Sequence, residues 1–264
     1  MSSSFFAAPQ TARPTSAGPV DLPILYYDAT CIIALFWASR AGALDLLAGT
    51  GLEPTGGVFD HVLAGMAFYE YRHTSVGPYN EVGLALFAVP AGTRHAPLRI
   101  ADVLLPTELR RTGMVVVDLP VTTEIARAAG AELWGYPKFV TDLPFTRRGD
   151  RVALGVADPG GGAPICTFEG TLGRSAPALP VQLLTFTQKD GALVRTPVAV
   201  RGPARLHLPG STRLFVGASR HGMAERMRAL GLDGRRPAAV LVVDPMQARL
   251  PEGEVMRRGA APTS

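Results

Sequence analysis

The chain has 264 residues, a formal charge of +4, 47% hydrophobic and 18% charged residues, which places it among globular proteins of one or at most two domains and excludes disordered, collagenous and coiled-coil chains. Its basic residues are scattered rather than gathered into a stripe interleaved with aromatics, so the positive charge does not indicate a nucleic-acid partner. The 29 glycines and 23 prolines interrupt the chain often enough that short strands joined by turns are the expected architecture.

Met1 to Pro19 is rich in Ser, Thr, Ala and Pro, and Phe5 to Ala8 is too short for a secretory hydrophobic region. Residues 1–19 therefore read as a disordered leader of a cytoplasmic protein. The longest strongly apolar run, Cys31 to Ala38, is far below the ~18 residues needed to cross a bilayer, so no membrane partner is expected. Ser39 is placed to cap a short helix through Ala48, with Gly49 as its stop. Residues that favour strands then cluster at Val58 to Tyr71, Glu81 to Val89 and Met114 to Leu119, before Thr122 caps a second helix, TEIARAAGA. Arg151 to Ala157 and Ile165 to Leu172 follow as strands, with DPGGGAP between them as a hairpin loop. Further strands are expected at Gln182 to Gln188, Leu193 to Val200, Arg213 to Val216 and Ala239 to Val243, and Ser219 caps a third helix, RHGMAERMRAL.

Strands outnumber helices and do not alternate with them, which disfavours a parallel βαβ sheet. The expected fold is mainly β (α+β), an antiparallel barrel or sandwich with a few short helices outside. It forms a single domain over 20–252, with residues 253–264 as a frayed tail.

The common catalytic templates are absent: no GxSxG elbow, Walker loop, HExxH or dinucleotide fingerprint occurs. His61, His73, His95, His207 and His221 are dispersed, and Cys31 and Cys166 sit in apolar contexts as buried thiols, so neither a metal nor redox chemistry is indicated.

Lysine is the informative residue type. Of 26 basic residues only Lys138 and Lys189 are lysine. Arginine substitutes for most surface lysines but cannot become a neutral nucleophilic amine. Lys138 lies in Glu132-Leu133-Trp134-Gly135-Tyr136-Pro137-Lys138-Phe139-Val140, where aromatic and apolar neighbours would partly desolvate it. Desolvation disfavours an ammonium ion, and a neutral amine attacks carbonyls. The same residues also suit a lysine at a barrel rim with its head in water. A second segment, Thr74-Ser75-Val76-Gly77-Pro78-Tyr79-Asn80-Glu81-Val82, is a turn leading into a strand with an acid near its start. With Val82, Leu84, Leu86 and Ala88 next, Glu81 reads either as opening an inward-leaning strand, where it needs a cationic partner, or as a solvated strand-end residue.

The GYPK segment after TTEIARAAGAELW, the upstream GPYNE and the amino-terminal LPILYYDAT and LLAGTGLEP together resemble the acetoacetate decarboxylase family over most of the chain. That family is the standard example of a lysine made nucleophilic by desolvation or a cationic neighbour. The resemblance implies an antiparallel β-cone or barrel around a central cavity in a homo-oligomer, with Lys138 as the Schiff-base lysine and Glu81 as an active-site acid. It implies a lyase acting on a small oxo acid without metal or organic cofactor, by decarboxylation or by aldol or dehydration chemistry on the same iminium. Tyr79, Trp134 and Tyr136 would line the substrate site. The pattern is not complete: Phe139 stands where the family has a second lysine, an ungapped reading puts Met66 where it has another glutamate, and the arginine expected near Tyr27 or Thr30 is missing. Arg72 is the candidate replacement for binding an anion. The alternative from another class is a non-catalytic small-molecule-binding barrel.

Overall fold

Seven strands close into a barrel in the order in which they occur in the chain: β1 (Ile24–Ser39), β2 (His61–Thr74), β3 (Tyr79–Pro90), β4 (Gly113–Asp118), β5 (Leu183–Lys189), β6 (Ala192–Arg201) and β7 (Ala239–Leu250). The computed structural model describes residues 3–57, 59–94, 96–178 and 182–256. Neighbouring strands are antiparallel except β4 and β5, which pair in parallel, with Thr185 opposite Met114. The ring closes where β6 meets β7, Ala199 opposite Arg249 and Arg201 opposite Gln247.

A second sheet of four short antiparallel strands, Phe145–Arg148, Arg151–Val156, Cys166–Thr171 and Arg213–Val216, lies against the outside of the barrel. DPGGGAP forms the turn between its two central strands, as its glycines predict. Because this sheet covers them, β1 to β3 are buried on both faces. Phe36, Met66, Phe68, Val82, Leu84 and Leu86 point outward into a core shared with Leu154, Phe168 and Leu214, where the Phe68 and Phe168 rings stack at 5.6 Å. A strand buried on both sides needs no polar alternation. The Cys31–Ala38 run is such a strand: the sequence pattern assigns it none, yet it lies in the longest strand of the barrel.

Three helices close the outside: α1 (Arg40–Leu47), α2 (Glu124–Trp134) and α3 (Gly222–Ala229). Ser39 caps α1 as expected, its hydroxyl accepting from the Gly42 amide. The other two caps lie elsewhere. Thr123 rather than Thr122 precedes α2, because the Thr122 hydroxyl is taken by the Asn80 amide of β3. His221 rather than Ser219 caps α3, because the Ser219 hydroxyl is held by Asp158 and the His221 amide.

Residues 3–19 carry a one-turn helix, Ser3–Phe6, and a strand, Thr11–Arg13, paired with Val20–Leu22. Arg13 is ion-paired with Glu252, Ser16 bonds Glu132, and the guanidinium of Arg201 lies 4.3 Å from the centre of the Phe5 ring. Glu254–Met256 pairs with β6, so the ladder runs past residue 252; 257–264 lie outside the described residues, as do Val58 and His95. No helix among the described residues is long and apolar enough to cross a membrane.

Candidate active site

The barrel interior is hollow because, toward one end, the inward positions on β2 and β3 are small. Gly65 and Ala67 on one strand and Gly83 and Ala85 on the other leave space that larger side chains would fill, giving a cavity of about 100 Å³. Further along the same faces come Tyr69 and Tyr71 of β2 and Tyr79 and Glu81 of β3. The Thr74–Gly77 turn, in which the Thr74 hydroxyl donates to the Gly77 carbonyl, sets the register that puts Tyr69 opposite Glu81 and Tyr71 opposite Tyr79. Side chains alternate faces along a strand, so the apolar residues that suggested an inward strand, Val82, Leu84, Leu86 and Ala88, belong to the opposite, outer core. Glu81 does face inward, but with Tyr79, Gly83 and Ala85.

Lys138 reaches Glu81 through an intermediate ribbon, residues 119–122. On one side the Val82 amide donates to Pro120 and the Thr122 amide to Asn80; on the other, Leu119 donates to Pro137 and Val121 to Phe139. The chain arrives there by reversing at the end of α2. Gly135, at φ 73°, closes the helix, its backbone lying so close to Gln188 and Lys189 that a side chain would collide with them. Lys138 Nζ donates to Glu81 Oε2 at 2.5 Å, with side chains only 6% and 10% exposed. The lysine is therefore not a rim residue with its head in water, and the glutamate is not a solvated strand end.

Tyr79 is near the amine, its ring centre 5.9 Å from Lys138 Nζ. Trp134 and Tyr136 also line the cavity, each tethered by its polar atom: Trp134 Nε1 donates to the Pro251 carbonyl at 2.9 Å, and the Tyr136 and Thr185 hydroxyls are 2.7 Å apart. Arg72 is not brought there. It lies on the exposed flank of the barrel, held by Asp28, Glu70 and the Thr30 hydroxyl, with Asp244 3.6 Å away. Phe139 turns into the outer core, its ring 4.5 Å from that of His221, and Val140 is 37% exposed, so neither desolvates the amine. Met66, where the ungapped comparison places another glutamate of the family, also faces the outer core rather than the cavity. A shift of one residue along a strand exchanges its faces.

Two features of the site escape the sequence reading. The first is the set Tyr26, Tyr69 and Tyr71, which joins Tyr79 and Tyr136 around Glu81. The Tyr71 hydroxyl donates to Glu81 Oε1 at 3.4 Å, and the Tyr26 and Tyr79 hydroxyls share one hydrogen bond of 3.2 Å. Burial pushes the phenols of Tyr26, Tyr69, Tyr71 and Tyr79 far above the ordinary tyrosine value, and the charge of Glu81 adds to each; burial also raises Tyr136, to about 12. All five remain protonated donors near neutral pH. Alternation in Tyr69-Glu70-Tyr71, folded across the Thr74–Gly77 turn, was the signal for two of them.

The second is Gly130, in the middle of α2. A Cβ there would overlap Cδ and Cε of Lys138 and stand 3.0 Å from Nζ, so the lysine passes over the helix only because this position lacks a side chain. Glycine inside a helix normally costs about 1 kcal/mol relative to alanine. Gly130→Ala is expected to dislodge the amine from Glu81 and to cancel the ~1 kcal/mol that alanine otherwise gains inside a helix. In a Lys138→Ala background the same change should stabilise the protein. Chemical denaturation of the four members of this cycle measures the coupling, and equal effects of Gly130→Ala in both backgrounds would contradict it.

Among the described residues, no three His, Cys, Asp or Glu side chains gather in a metal-binding group. Chemically, the site is a buried amine and carboxylate in contact, in a largely apolar cavity with neutral hydroxyl donors.

The family model for acetoacetate decarboxylase matches residues 7–211. No curated protein matches the sequence. Among solved structures, the acetoacetate decarboxylase of Legionella pneumophila superposes with a TM-score of 0.64 at 15% identity, covering 97% of this chain and 94% of that one. The enduracididine biosynthesis enzyme MppR in complex with pyruvate gives 0.63 at 15% identity, covering 90% and 91%. An acetoacetate decarboxylase-like enzyme from Sphingomonas wittichii RW1 gives 0.61 at 15%, covering 90% and 94%.

Proposed function

Since the chain belongs to the acetoacetate decarboxylase family, we propose that it is a lyase in which Lys138 forms a Schiff base with the carbonyl group of a small molecule. The observation that carries this reading is the Lys138 amine held 2.5 Å from Glu81, both side chains buried in the barrel cavity. Glu81 takes the proton that Lys138 sheds before its nitrogen attacks the carbonyl carbon. It returns a proton as the carbinolamine loses water, and the resulting iminium draws in the electron pair of an adjacent breaking bond. The neutral tyrosines hold the substrate oxygen without competing for the proton. Water then releases product and restores the amine.

The carbonyl compounds to be tried include small oxo acids, since MppR has a structure in complex with pyruvate. The bond broken after the iminium forms is C–C in decarboxylation or retro-aldol cleavage and C–O in dehydration. Borohydride reduction in the presence of oxo acids, ketones and aldehydes, followed by intact mass and peptide mapping, tests the proposal. An adduct on Lys138 is expected. Reversible binding without any adduct would instead assign the chain as a binding barrel.

A further inference from the structure

The cavity contains one positive and one negative side chain, Lys138 and Glu81, and they are already paired. Among the described residues its lining has no arginine, no histidine and no second lysine. Its other polar groups are hydroxyls of tyrosine and Thr185, and the remaining wall is apolar, including Ile33, Val116, Leu119, Val198, Met246 and Leu250. Two arginines that might have met a carboxylate are committed elsewhere. Arg72 is bound to Asp28 and Glu70, and Arg147 to Asp244, all on the outer flank.

Charge bookkeeping then separates two kinds of carbonyl compound. Condensation of the Lys138 ammonium with an uncharged ketone or aldehyde forms one C=N bond and releases the carbonyl oxygen as water. One positive charge stands before the step and one after it, so the iminium simply replaces the ammonium opposite Glu81. An oxo acid adds a negative charge that nothing in the chamber balances, beside a carboxylate already present. Unpaired charge in an apolar interior is strongly disfavoured. Hydroxyl donors fit the uncharged case. The Tyr26 and Tyr79 hydroxyls share a single hydrogen bond, which leaves one of their two protons for a carbonyl or hydroxyl oxygen.

We infer that the carbonyl compound this cavity accepts is an uncharged, largely apolar ketone or aldehyde, and that ionised oxo acids are discriminated against at the binding step. The inference rests on the Schiff-base reading above and narrows its substrate class. For such a compound the iminium draws electrons from an adjacent C–H or C–C bond, with Glu81 exchanging the proton, and no carboxylate is lost.

The test uses two ketones of matched size and branching, 5-methyl-2-hexanone and 4-oxopentanoate, which differ in bearing an isopropyl group or an ionised carboxylate. Borohydride trapping on Lys138 of the full-length protein is followed by intact mass, and each rate is divided by that for N-acetyl-lysine to remove intrinsic reactivity. The uncharged ketone is expected to be favoured by at least about tenfold. Equal trapping, or a preference for the acid, would overturn the inference and leave the Schiff-base reading standing. Failure of both compounds to form an adduct would overturn both readings.

Discussion

Lys138→Arg is expected to abolish adduct formation and to lower turnover by about 10⁴-fold or more, the scale on which loss of a covalent nucleophile acts. Arginine keeps a positive charge opposite Glu81, so the buried carboxylate is not left alone, a defect that would itself destabilise the fold by about 3–5 kcal/mol. What the guanidinium cannot do is become a neutral amine at accessible pH. The variant thus separates the chemical role of Lys138 from its electrostatic one. Circular dichroism and thermal unfolding establish that the barrel persists, while borohydride trapping and turnover report the chemistry. Activity within a few fold of the parent in a folded variant would end the Schiff-base reading.

Glu81→Gln should show the complementary pattern. Glutamine preserves volume and leaves an oxygen to accept from Lys138 or from the Tyr71 hydroxyl, but it cannot take and return a proton. An adduct still forms, while each proton transfer slows, so turnover falls by the ~10²-fold or more typical of a positioned acid or base. Single-turnover rates separate the two phases. If the rates before and after imine formation both match the parent, Glu81 serves only to hold Lys138 in place. The tyrosines do not replace it as a base, because burial keeps their phenols protonated.

The pairing of Lys138 with Glu81 depends on contacts that no local pattern announces. The two residues are 57 apart and meet because the 119–122 ribbon bonds to the strand of one and to the segment of the other. Gly130 is eight positions before the lysine and resembles any helix glycine until the side chain that crosses it is placed. Tyr26 joins the cluster through an irregularity in β1 between Tyr26 and Ala29. There the inward residues change from even positions, Ile24 and Tyr26, to an odd one, Ile33.

By itself the sequence determined the class of fold, most of the strands and the three short helices, and it offered Lys138 and Glu81 as candidates, each with a solvated alternative. These are local properties: β-forming residues between turn signals, capping residues before short amphipathic runs, and a rare lysine in an aromatic, apolar segment. Tertiary structure alone decided which way the side chains face. In β1, β2 and β3 both faces are buried, so hydrophobicity does not distinguish the cavity from the outer core, and Met66, Val82 and Phe139 look no different in sequence from residues that point inward. Closure of the barrel, and the second sheet packed on its outside, assign the faces. The same closure carries Arg72 to the outer flank among Asp28, Glu70 and Asp244, and leaves the chamber with Lys138 as its single cation among the described residues.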